Sequence, residues 1–426
     1  MERYLINYLR EISDNSLEKK YIDFFKIELD WFIYNYGDNV SSITLTSYRS
    51  GRKNLRPFFR EQIQYLSSLL LKVKSHENNI LSGVYFKDPK ILHDLGFNLV
   101  SSVFQPVYFK NILGDLDQIK LLKKKNKIIY CGSFNDLFDV SLFREFEDLK
   151  EKILQSYLEY DLRALFLNTD QTFESKYLLD IFKSLNKPSF IFSHGLPGIY
   201  SKEVDNRSDY LLVWGEQIKQ NYIDVGFDPQ KIFVVGSPSI VFHSKNKKLK
   251  NSLNDILVIP CSSSLWHQHE WGLPRLNDRS MSILYLYQVQ HTLEQLGVKH
   301  ARFRPHPSIN SKWMYNFLDK NFYEIDRDNL NDSLNKTTLV IGATSTVFLQ
   351  ALMSGVNYIV FEPNENGISL LRMPLVPPFD DSDPLVKVAS DEKELLYLIK
   401  TKYQTNPGIL DKYSRPLNLD ILKKII

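Results

Sequence analysis

Cysteine is scarce in this chain, with two in 426 residues, Cys131 and Cys261. Two thiols cannot build the disulfide framework of a small secreted scaffold. Each closes an apolar run of the kind that forms a buried strand, so reduced thiols in a reducing compartment are expected, with one bridge between them left open. No apolar run reaches the roughly 18 residues a membrane span requires. The opening Met1-Glu2-Arg3-Tyr4-Leu5 lacks the basic region and apolar core of a secretory signal. The expected location is cytoplasmic. There is no Gly-x-Gly-x-x-Gly and no P-loop, which leaves dinucleotide redox chemistry and ATP hydrolysis without support. Metal-ligand spacing is missing as well. His267, His269 and Glu270 crowd together without a zinc pattern. Asp380-Asp381-Ser382-Asp383 lacks the Gly and the spaced Glu of a calcium loop. Neither a metal nor a resident cofactor is expected.

Net charge is also small. A formal +3 is too little to imply nucleic acid, and the lysine runs at 123–127 and 245–250 are short enough to be solvated loops. A weak attraction to the anionic inner face of a membrane stays open.

What the chain does have is an ordinary globular balance, 43% hydrophobic and 24% charged. At this length one core is not enough, and two domains are expected. The aromatic share of 13% is high. Together with much Asn, Lys and Ile it reads as coding bias and not as function.

Along the chain, apolar positions recur at helical spacing through residues 1–40, followed by a strand at 42–46, a basic loop at 47–54 and a helix at 60–75. Strands are then expected at 80–85, 99–104, 127–131, 164–168, 189–193, 210–214 and 232–235, with helices at 142–158 and 176–185. The Lys-rich segment 244–254 reads as a linker. After it the alternation restarts, with strands at 256–260, 301–304, 338–341 and 358–362. Helices are expected at 280–296, 313–318, 345–354 and 392–401. Strands alternating with helices imply two mostly parallel sheets covered on both faces. The expected domains are 1–243 and 255–400, with a tail, 401–426, packing back on the body.

Two stretches of the second half look like phosphate handling. Ala301-Arg302-Phe303-Arg304 leads into Pro305-His306-Pro307, and Gly342-Ala343-Thr344-Ser345-Thr346 runs from a strand into a helix. Arg304 offers positive charge and His306 a titratable donor on a loop stiffened by two prolines. Ser345 and Thr346 offer hydroxyls and free N–H groups. Glu362, ending the next strand, could meet a ribose hydroxyl, and Ser263 lies in the Ser262–Ser264 run after the first strand of this half. In the first half, Ser193-His194-Gly195-Leu196-Pro197-Gly198 puts a histidine on a strand-to-loop turn, and Asp170 follows another strand.

Taken together with Gly215-Glu216 and Val235-Gly236-Ser237-Pro238, these motifs resemble those of bacterial glycosyltransferases with the GT-B architecture, two Rossmann-like domains facing each other across a cleft. The His-Pro and Ser/Thr pair resembles sialyltransferases and polysialyltransferases, and also transferases that use CDP-glycerol or CMP-Kdo. The resemblance covers roughly residues 160–365. It implies an inverting, metal-independent transfer of a sugar, in the first instance from a CMP-activated sialic acid or Kdo-like donor, onto a bacterial surface glycan or glycolipid. On that reading the donor phosphate is held by Arg304, His306, Ser345 and Thr346. The acidic pair followed by Gly that supplies the base in sialyltransferases is absent here. That leaves the role to His194, which has a counterpart in the polyol-phosphate transferases, or to Asp170. A CDP-polyol phosphotransferase and a nucleotide-sugar 2-epimerase of the same fold are the alternatives, and a non-catalytic glycan- or nucleotide-binding module is the third.

Overall fold

The computed structural model describes residues 17–26, 66, 77–108, 111–131, 139–202, 206–238, 248–260, 280–305, 314–365, 368–369 and 374–426. The expected strand at 42–46, the basic loop at 47–54 and the helix at 60–75, save residue 66, lie outside these residues, as do Cys261, Ser263, His267, His269 and His306.

Two parallel sheets organise the chain. The first comprises β1 (Asn79–Ser82), β2 (Asn98–Ser102), β3 (Ile112–Leu113), β4 (Leu162–Leu167), β5 (Ser189–Phe192), β6 (Tyr210–Val213) and β7 (Ile232–Val234). Their order is β3-β2-β1-β4-β5-β6-β7. The second comprises β8 (Ile256–Ile259), β9 (Ala301–Phe303), β10 (Tyr323–Ile325), β11 (Leu339–Gly342) and β12 (Tyr358–Phe361). A short antiparallel pair, β13 (Asn364–Glu365) and β14 (Ile368–Ser369), precedes β15 (Val388–Ala389). The order here is β10-β9-β8-β11-β12-β15. Each sheet carries helices in its crossovers, so the α/β plan with two Rossmann-like units is the observed architecture.

The period of two in each strand decides which core a side chain joins. In β8, Ile256 and Val258 join one apolar cluster while Leu257 and Ile259 join another. In β4, Leu165 and Leu167 share the cluster of Leu257 and Ile259, and Ala164 and Phe166 face away into a third. One apolar cluster thus runs from the first sheet into the second, through Trp214, Ile218, Phe348 and Tyr358.

Four expectations change. Residues 127–131 end a helix, Leu116–Cys131, and are not a strand. The run of apolar residues there is short enough to fit either period. The lysines before it knit helices together, Lys124 to Glu145 and Lys125 to Glu174. Of the segment around 313–318, the described residues form only a single 3-10 turn, Met314–Asn316. The described end of the 244–254 segment is no free linker, because Asn357 N–H donates to Lys250 O and Lys250 N–H donates to Gly355 O. The aromatic richness has a structural use. Tyr21 stacks on Phe143 at 5.3 Å and Phe25 on Phe173 at 4.4 Å, docking the helix Leu17–Phe24 on the first sheet's helices.

The C-terminal segment leaves the second sheet and crosses to the first. Asn418 N–H donates to Val235 O at 2.7 Å, and Leu419 and Leu422 join the outer core of the first sheet. Among the described residues no helix is long and apolar enough to cross a membrane.

Candidate active site

In parallel sheets the loops that leave the carboxyl ends of the strands gather on one edge. Here that edge of the first sheet carries the 193–198 loop after β5, and that of the second carries the 343–346 loop after β11. The two loops touch. Leu196 N–H donates to Thr346 Oγ1 at 3.0 Å. Gly195 packs so closely that a Cβ built on it would lie 2.0 Å from the same oxygen. Two motifs separated by 150 residues in the chain are therefore joined at one point.

Each loop is braced from beneath. Trp214, buried at the end of β6, donates its indole N–H to Ser193 O at 2.7 Å, and Ser193 Oγ donates to Gly195 O at 2.8 Å. His194 sits between these two anchored residues and is exposed. On the other side, Tyr358 O–H donates to Ala343 O at 2.6 Å and Glu362 accepts from Thr344 N–H at 2.8 Å. Tyr358 opens β12 and Glu362 directly follows it, at the same-face spacing of 358, 360 and 362. A Cβ on Gly342 would meet the Tyr358 hydroxyl at 2.1 Å, so glycine is required for this brace.

Ser345 Oγ accepts from Val347 N–H at 3.2 Å, just ahead of the helix Val347–Met353. The backbone N–H groups of Ser345 and Thr346 have no partner among the described residues. Both hydroxyls act as acceptors inside the protein, and each keeps its own O–H to donate.

Glu362 is 2% exposed, so it lies under the loop and not on its surface. Its expected meeting with a ribose hydroxyl becomes support of the loop through Thr344. Burial raises its carboxyl above the ordinary range, against the opposing effect of the Thr344 N–H. A carboxyl raised in the folded state holds more protons there than when unfolded. Stability therefore falls as pH climbs from the ordinary value of 4.5 through the raised folded value. Glu362→Gln keeps an acceptor for Thr344 without the charge and is expected to remove that decline. Urea midpoints at about pH 4 and about pH 7 check it, and an unaltered slope would disprove it.

Two other expected site residues have structural partners. Asp170 is 0% exposed, and its carboxylate accepts from Arg207 N–H at 2.8 Å. The Arg207 guanidinium lies 3.7 Å away. That geometry closes one loop on another and leaves no open face for an acceptor hydroxyl. Arg304 donates to Asp326 Oδ2 and to Asp328 O, both at 2.7 Å, so its guanidinium is engaged where a free phosphate ligand was expected. Arg302 pairs with Asp255 at 2.6 Å and Asp326 at 3.2 Å. Asp326 thus neutralises the arginines of β9 and its exit, while the Asp328 carboxylate pairs with Lys336 at 2.7 Å. Elsewhere, Asp115 caps Gln118 N–H at 2.8 Å and Asp383 binds Lys412 at 2.9 Å.

The glycines of the other motifs are explained by the returning C-terminal segment. A Cβ on Gly215 would meet Lys412 O at 2.5 Å, and one on Gly236 would meet Pro416 O at 2.4 Å. Gly236 also holds φ at 85°, where a side chain is strained. Trp214 and Tyr358 were not singled out from sequence. Only Tyr358 left a signal there, its same-face spacing to Glu362.

Gly195→Ala is expected to push the two loops apart, at a cost of about 1–3 kcal/mol for an overpacked contact. Thr346→Ala removes the nearest atom and should recover most of that loss. Thermal unfolding of the two single variants and the double variant decides it. Equal losses in both backgrounds would mean that the loops do not meet.

No protein-family model matches the chain, and no curated protein does. Solved structures with a similar fold include the UDP-GlcNAc 2-epimerase from Neisseria meningitidis bound to UDP-GlcNAc, 11% identical over 82% of this chain and 98% of that one, with a TM-score of 0.45. The UDP-GlcNAc 2-epimerase from Methanocaldococcus jannaschii is 12% identical over 80% and 96%, also at 0.45. A lipopolysaccharide outer core galactosyltransferase in its apo form is 11% identical over 82% and 96%, at 0.43.

Proposed function

We propose that the chain is a nucleotide-sugar enzyme, and specifically an inverting glycosyltransferase that needs no metal. The supporting observation is the contact between the His194 loop and the Ser345–Thr346 loop at facing carboxyl edges of the two sheets. On this reading the open N–H groups of Ser345 and Thr346 and the two hydroxyls hold the donor phosphate, and His306, which follows β9 in the chain, assists. His194, exposed and held at both neighbours, takes the proton of the acceptor hydroxyl. The preorganised donors stabilise the charge that grows on the leaving nucleotide. Glu362 and Tyr358 keep the loop in place. A CMP-activated acidic sugar is the donor favoured by the His-Pro and Ser/Thr pair of the sequence, and the acceptor is a glycan or glycolipid of the cell surface.

The test is a thermal-shift panel of CMP, CDP, UDP and GDP with EDTA present, followed by turnover of the matching sugar nucleotide. A nucleotide at a hundredfold its dissociation constant should add about 2.7 kcal/mol of stability. The CMP reading predicts the largest shift for CMP and nucleotide release that accelerates with acceptor. A shift that requires Mg²⁺ would end the metal-independent reading. Conversion of the donor to its epimer with no acceptor would replace transfer by epimerisation.

A further inference from the structure

The first sheet has a second concave site, at its opposite edge. The helix Phe173–Ser184 ends at the Leu185 cap, Asn186 turns with φ of 52°, and the chain re-enters the sheet at Ser189. Against this turn lies a cavity of about 510 Å³, bounded also by the helix Leu17–Phe24 and by the 207–210 segment that leads into β6. It sits at the amino ends of β5 and β6, whereas His194 follows the carboxyl end of β5. Its volume is in the range of small-ligand sites.

The lining carries five cationic side chains and two carboxylates. The carboxylates are already used. Asp180 binds Lys20 at 2.8 Å and Lys150 at 2.7 Å, and Asp209 accepts from Ser189 N–H and O–H at 2.8 and 2.7 Å. Lys176 donates to Asp23 O, and Arg207 lies by Asp170 and Asp23. Lys183 and Lys187 have no acidic partner among the described residues. A lysine near a helix C-terminus can simply answer the helix dipole, but that dipole amounts to about half a charge. The last carbonyls of this helix are also already taken by the N–H groups of Leu185, Asn186 and Lys187. Two free lysines in one concavity exceed what the helix end requires, and a concave wall strengthens their field. Phe24 and Tyr210 add aromatic surface.

We propose that this cavity binds a phosphate-bearing ligand, its anion met by Lys183 and Lys187 and its body by Phe24 and Tyr210, at a site separate from the one that takes the nucleotide. The phosphate can belong to a soluble metabolite or to an anionic lipid headgroup. Two probes distinguish these with the full chain. Inorganic pyrophosphate is titrated calorimetrically in low salt with the best nucleotide of the panel held at saturation. Cosedimentation is measured with phosphatidylcholine vesicles with and without phosphatidylglycerol.

The Lys183→Gln/Lys187→Gln double variant should bind the successful probe about tenfold more weakly or worse, the worth of two screened ion contacts. Its nucleotide shift should be unchanged. Pyrophosphate binding that the variant loses supports the soluble source, and loss confined to the phosphatidylglycerol vesicles supports the headgroup. Binding that survives the double substitution, or no binding of either probe, overturns the proposal.

Discussion

Replacing His194 with alanine is expected to slow acceptor-dependent turnover by about 10²–10⁴-fold, the usual cost of losing a general base. Nucleotide affinity should hardly change, because the Ser345–Thr346 loop is braced by Tyr358 and Glu362 and not by the imidazole. The loop that carries His194 should stay in place, since its anchors are the Trp214 bond to Ser193 O and the Leu196 bond to Thr346. Nucleotide release from the donor, measured with and without acceptor, separates the effects. A base acts on the acceptor hydroxyl, so the acceptor-dependent rate falls while slow hydrolysis to water persists. Loss of nucleotide affinity in His194→Ala would move the histidine to the donor side. An unimpaired variant would remove it from the chemistry, and Asp170 could take over only if its bond to Arg207 were released.

The second large effect is on stability. The Asp326 side chain is 2% exposed and faces Arg302 and Arg304 at once, with Ser333 O–H donating to it at 2.6 Å. Removing one partner of a buried ion pair costs about 3–5 kcal/mol because the remaining charge is left without compensation. Asp326→Asn should fall at the lower end, about 3 kcal/mol. Arg302 keeps Asp255 at 2.6 Å and Arg304 keeps Asp328 O at 2.7 Å. The urea midpoint measures it, and a loss under about 1 kcal/mol would show that the network is not needed. Arg304 leads directly into Pro305 and His306, so a variant that stays folded should also bind nucleotide more weakly.

The sequence by itself determined the alternating pattern, and with it two parallel sheets and the loops at their carboxyl edges, because the period of two and the strand-to-helix punctuation are local properties. It marked the loop of His194 and Gly195, and that of Ser345 and Thr346, as lying at that edge, although Gly198 in the first of them has open space around it. The tertiary structure alone decided what meets what. Thr346 faces Leu196 across 150 residues of chain, a contact no local pattern encodes. Asp170, Arg304 and Glu362 have side chains suited to a ligand, yet their partners come from distant segments: Arg207, Asp326 and the Thr344 backbone. Gly215 and Gly236 look like ligand-loop glycines in sequence, but the backbone of residues 412–416 requires them, because a chain that returns from one domain to the other needs room that a side chain would fill. The helix at 127–131 and the short strands β3 and β10 escaped the pattern for the opposite reason, since so few apolar residues fit both periods until packing chooses one.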